Sequence, residues 1–236
     1  MLSTSERKKI RFTKALMPSF GSDTKKYDEI YQQFCREGYT KDLCENYADA
    51  FVDNVKKPAA DDVIQLASLY RKLNDYKNSE FYLETLANKK LASDDRFHYC
   101  LGMLKTMSVL GNWRDAEDFR TDNINFIQTY AAKQKGNAAD VRMNITLALV
   151  DCAGKHYSEA FKLLNFGYKP KGKNDLNLLR IFTAAVYIYS KAGDEEALAG
   201  AVETAKGCLR LFDEFPFEWS KAHYEKKIEN AANGII

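Results

Sequence analysis

Proline and glycine are both scarce, 4 and 12 among 236 residues. An all-β chain needs many tight turns, and a large α/β enzyme needs glycine-rich phosphate loops, so the shortage argues against both. Histidine is rarer still, at 3, and no H-E-x-x-H, paired Cys/His set or EF-hand loop occurs. Neither a metal site nor a cofactor is expected. Charge of one sign is missing too: 35 basic and 33 acidic residues leave a net +2, which gives no electrostatic reason to expect nucleic acid as a partner. The five cysteines (Cys35, Cys44, Cys100, Cys152, Cys208) are odd in number and form no C-x-x-C pair. They read as small core residues kept reduced, not as a disulfide framework. Long apolar runs are absent; "ITLALV" (145–150) is far too short to span a bilayer. No signal-peptide pattern opens the sequence. The expectation is a cytoplasmic protein with no membrane span.

A helical period is present almost everywhere. In "DDVIQLASLYRKL" (61–73), Val63, Leu66, Ala67, Tyr70 and Leu73 fall three and four apart on one stripe. Asp61 and Asp62 stand where free helix amides favour negative charge. After "LND" (73–75) the period resumes with Tyr76, Ser79, Tyr82 or Leu83, and Leu86. Two helices joined by so short a turn must be antiparallel neighbours.

The same arrangement returns in "LGNWRDAEDF" (110–119), "AGKHYSEAFKLL" (153–164) and "AGDEEALAGAV" (192–202). Each has glycine at the break, where a helix end wants a left-handed residue at no steric cost. Tyr76, Trp113 and Tyr157 each precede a small residue by three: Ser79, Ala116 and Ala160. The aromatic is expected to plug the corner, with Trp113 mostly buried, and the small residue to let two helices approach. The fourth copy has Glu195 in place of the aromatic.

The set Ala67, Tyr70, Asn74, Tyr76, Ser79 and Leu83 resembles the tetratricopeptide repeat. Leu104, Gly111, Trp113 and Ala116 repeat part of that pattern, and Ala148, Tyr157, Ala160 and Leu164 another part. The corners recur at 37, 44 and 38 residues (Tyr76 to Trp113 to Tyr157 to Glu195), longer than the roughly 34 of a regular repeat. The excess is expected in links at 126–141 and 167–177. The resemblance covers about residues 60–212 and implies an all-α, right-handed superhelical stack of about five antiparallel hairpins, a single domain over 1–236. Within it, 1–23 is read as an N-terminal helix and loop, 24–57 as a divergent hairpin, and 60–212 as four repeat-like hairpins. Residues 215–233 are read as a capping helix with its lysines outward, since an exposed end face needs cover.

No G-x-S-x-G, Walker-type loop or dinucleotide fingerprint occurs. "GYKPKGK" (167–173) lacks the Ser/Thr and the preceding strand that phosphate binding of that type requires. His156 reads as a corner side chain. Asp94-Asp95 and Glu195-Glu196 read as helix starts. No catalytic residue is expected.

In tetratricopeptide arrays the first helix of each hairpin lines the concave groove. Registering the copies on their corners places Arg71, Lys72, His98, Lys105, Arg142, Arg180, Tyr187 and Lys191 there. These positions also suit ordinary solvated helix faces. If they converge, helix-presented Arg and Lys would suit an acidic peptide. The reading that follows is a non-catalytic scaffold or adaptor binding a protein or peptide in the groove. A regulatory sensor of a small molecule or short peptide is the alternative, and an enzyme without a recognisable motif the third.

Overall fold

The computed structural model describes residues 41, 45, 58–134, 137–170, 172, 175–212 and 220–236. The expected N-terminal helix and loop lies outside these residues. So does the divergent hairpin at 24–57, apart from Lys41 and Glu45, which are helical and 3.5 Å apart. Among the described residues every regular element is helical: α1 (Ala60–Lys72), α2 (Tyr76–Glu84), α3 (Ser93–Leu110), α4 (Trp113–Lys133), α5 (Ala138–Ala153), α6 (Tyr157–Leu164), α7 (Leu176–Ala192), α8 (Glu195–Arg210) and α9 (Ser220–Ala232).

Each odd-numbered helix packs on the even-numbered helix that follows it: α1 on α2, α3 on α4, α5 on α6, and α7 on α8. The odd helices also pack on one another in order, α1 on α3, α3 on α5 and α5 on α7. They form one layer, against which the even helices lie. Helix α9 packs on α7 and α8.

The four corners share one backbone geometry: a left-handed residue, then the N-cap, then the first residue of the next helix. Gly111 (φ 84°) and Gly193 (φ 74°) supply the left-handed residue at two of them. Asn74 (φ 59°) and Lys155 (φ 63°) supply it at the others. The expectation that glycine would do so at every repeated break is therefore corrected at the third. Gly154 has an ordinary φ of −77°, and the turn begins one residue later, at Lys155. Asp75 and Asp194 cap their helices by accepting the amides of Asn78 (3.1 Å) and Ala197 (3.0 Å).

The small residues behave as expected, since Ser79, Ala116 and Ala160 are fully buried where helices meet. The aromatics divide. Tyr76 is buried and Tyr157 half-buried, but Trp113 is 38% exposed, which corrects the expected plug. Its indole stands at the rim, edge-on to the ring of His156 in the following corner with centroids 6.5 Å apart. Ala116 thus closes the second corner without an aromatic lid.

The expected link at 126–141 is also corrected, because α4 continues as helix to Lys133. Ile127 and Ala131 continue its apolar stripe into the core, and Tyr130 stacks on Phe97 of α3 at 4.4 Å. Between α6 and α7 the described residues 166–170 are non-helical, as anticipated. The core includes the fully buried Leu66, Leu83, Leu86, Leu104, Ile127, Leu179 and Ile188. Each such burial contributes about 1.5–3 kcal/mol.

Candidate functional site

Helix α1 presents Arg71 near its end, half-buried against α2 and α3. Its Nη1 donates to Ser79 Oγ at 2.8 Å, and Ser79 Oγ lies 3.3 Å from Thr106 Oγ1. Gly102 of α3 faces Leu83 and Arg71, and a Cβ there would stand 3.2 Å from Leu83 Cδ1 and 3.4 Å from Arg71 Nη1. Desolvation lowers the Arg71 pKa to about 10, partly offset by Tyr76. The Tyr76 hydroxyl is raised to about 12 by the same burial, against the pull of Arg71.

Lys105 lies three residues beyond Gly102 on α3, on the same side of the helix. Burial, then the nearby cations Lys227 and Arg71, lower its pKa to about 7. The side chain is half-buried. Lys227 of α9 is in the same state, lowered to about 8 by burial and by Arg180 of α7. The expectation that the lysines of the last helix face outward is corrected at this position. Lys221 and Lys226 are exposed, whereas Lys227 points inward beside the buried Ile228. Burial and the charges of Lys227, Lys72 and Lys226 lower His223 to about 4.

Of the eight positions registered on the corners, Arg71 bears electrostatically on Lys105, Arg180 on Lys227, and the exposed Lys72 on His223. Arg180 Nη1 also donates to Asn177 Oδ1 at 3.2 Å. Tyr187 is buried, with its hydroxyl pKa raised by burial, and Lys191 Nζ stands 5.4 Å from its ring centroid. Lys191 and its neighbour Ser190 meet the end of α9 and the chain after it. Lys191 Nζ is 3.1 Å from where a Cβ on Gly234 (φ 71°) would sit, and Ser190 Oγ donates to the Ala232 carbonyl at 2.9 Å. The Tyr76 hydroxyl donates to the Ile236 backbone oxygen, which ties this segment back to α2. His98 is half-buried two turns before Lys105, edge-on to Phe97. Arg142 is exposed on α5 and bears on Tyr130 of α4.

A second charged group was not visible in the spacing. Arg120 of α4 donates from Nη1 to Asp151 Oδ1 of α5 at 2.7 Å and from Nη2 to Glu117 Oε1 at 2.7 Å. Asp151 is buried, so this pair fastens the second hairpin to the third. Cys100, Cys152 and Cys208 are buried free thiols, and burial raises the first two to a pKa of about 11, the thiol form at neutral pH.

Among the described residues no group of three or more His, Cys, Asp or Glu is placed to hold a metal ion, and no helix is long and apolar enough to cross a membrane. No known protein family matches the chain, and no curated protein or solved structure is significantly similar to it.

Proposed function

We propose that the chain is a degenerate tetratricopeptide-like stack, wound as a right-handed superhelix, and that it serves as a non-catalytic scaffold. Its inner face takes an acidic protein or peptide segment. The observation that supports this reading is the layer of odd helices, which carries Arg71, Lys105 and Arg180. The four equivalent corners support the repeat reading. The exposed Trp113 weighs against a regular repeat at the second corner, which is why the proposal is of a degenerate one. A cytoplasmic setting belongs to the same reading and is supported by the free thiols.

The test is cross-linked co-purification from native lysate with wild type, an Arg180→Glu/Lys191→Glu variant and Arg142→Glu. A groove-bound acidic partner is lost from the double reversal and retained by Arg142→Glu, whose side chain bears on Tyr130 of α4 instead. A partner captured equally by all three contradicts the reading. A regulatory sensor for a small anionic molecule is a second reading, favoured by the depth at which Lys105 and Lys227 sit.

A further inference from the structure

In a stack where each hairpin packs only on the next, the first and fourth have no reason to touch. One short segment joins them here. Helix α9 ends at Gly234 (φ 71°), whose amide donates to the Ala231 carbonyl at 3.0 Å, while the Ile235 amide donates to the Asn230 carbonyl at 2.9 Å. At the fourth hairpin Ser190 Oγ donates to the Ala232 carbonyl at 2.9 Å. Lys191 Nζ stands 3.1 Å from where a Cβ on Gly234 would sit. At the first hairpin the Tyr76 hydroxyl donates to the Ile236 backbone oxygen, 160 positions away in sequence. The stretch from Ala232 to Ile236 spans at most about 14 Å, so the end of α7 and the start of α2 stand within reach of one short segment.

Both grips fall on backbone carbonyls, which every residue carries, so the same donors would accept another extended segment in place of this one. The hold is light. Ile236 is half-buried against the core and Ile235 is 44% exposed. A segment held by so few contacts belongs to the low-stability end of a fold, where exchange is easiest. Its side chains, Ala-Ala-Asn-Gly-Ile-Ile over 231–236, also include no acid, although Lys191, one of the positions registered on the groove, stands beside Gly234. An incoming segment with Asp or Glu at that point would add an ion pair that this one does not make. We propose that residues 232–236 are a clasp in cis, which fills the docking place of an extended, acidic partner segment and is displaced when that segment enters. The proposal rests on the scaffold reading and gives its partner an internal competitor.

The experiment uses the full chain with no partner present. Nitrogen-15 relaxation reads the clasp: the Ile236 amide should be as ordered as the helices in wild type, with an order parameter of about 0.8, and fall below about 0.6 in Tyr76→Phe. Chemical-shift titration reads the exchange, with the synthetic hexapeptide Ala-Ala-Asn-Gly-Ile-Ile and its Gly234→Asp form as probes. Gly234→Val puts a β-branched residue at a left-handed position and against Lys191, which frees the clasp. That variant should bind either peptide about tenfold or more tighter than wild type, and the Asp form the tighter of the two. Adding Tyr76→Phe to Gly234→Val should weaken binding again. An Ile236 amide that is mobile in wild type, or equally ordered in Tyr76→Phe, overturns the clasp. Equal binding by wild type and Gly234→Val, no binding by either, or preference for the glycine peptide overturns the exchange. The wild-type relaxation tests the clasp even if a variant does not fold. An ordered, exchangeable clasp in a chain that captures no protein from lysate counts against the scaffold reading alone, since the peptides need no partner.

Discussion

Helix α3 stands between two junctions that treat buried charge in opposite ways. Toward α4 and α5, Arg120 meets Asp151 and Glu117 at 2.7 Å each, so a desolvated cation has two anions. Toward α1 and α9, Lys105 feels the like charges of Lys227 and Arg71. The first arrangement fixes one helix against another. The second carries a desolvation cost among the described residues.

The largest effect should come from breaking the paired junction. Arg120→Ala leaves the buried Asp151 carboxylate without its partner and should lower stability by about 3 kcal/mol in urea unfolding. Asp151→Ala leaves Arg120 still paired with Glu117 and should cost less, about 1–2 kcal/mol.

A second effect sharpens the like-charged side through pH. Lys105 and Lys227 fall from an ordinary 10.5 to about 7 and about 8 on folding, and His223 falls from 6.5 to about 4. Between the folded and unfolded values the unfolded chain binds more protons, so these groups make stability rise with pH. For the lysines the stabilising contribution is complete above 10.5 and is lost as pH falls toward 7. Cys100 and Cys152, raised from 9.0 to about 11, act in the opposite direction above about pH 9. Urea midpoints should therefore climb from pH 7 to 9 and then flatten. Lys105→Met should reduce the climb.

The smallest effects are on the backbone, where relaxed and strained corners make a parallel contrast. Gly111→Ala places a Cβ at φ 84° with nothing within 4 Å of it, so the loss of about 1 kcal/mol is conformational alone. Lys155→Gly removes a side chain from φ 63° and should gain somewhat under 1 kcal/mol. Thermal melts of the two variants should move in opposite directions.

The helices and the places where they break were legible in the sequence, because apolar spacing and short turn residues act locally. The exact turn residue was less so, since Gly154 and Lys155 are adjacent and either could take the left-handed position by propensity alone. Trp113 was legible as a corner residue, but its exposure depends on how far the following corner reaches over it. Arg71, Lys105 and Arg180 were legible as residues of the first helix of three hairpins. Lys227 was not, because it stands next to Ile228 and three residues from Tyr224 on a helix whose lysines divide between solvent and interior. Its helix is placed by packing on α7 and α8, which no local pattern shows. The Arg120–Asp151 pair joins residues 31 apart, beyond any local pattern.

The most direct test of the like-charged side is the unfolding free energy of Lys105→Met and of Lys105→Met/Lys227→Met at pH 7 in chloride buffer, free of phosphate. If the two ammonium groups are buried without a counter-charge, both variants should be more stable than wild type, by about 1–2 kcal/mol, and the double variant the more so. A loss of stability in both would mean that the lysines are already paired, and would contradict the account.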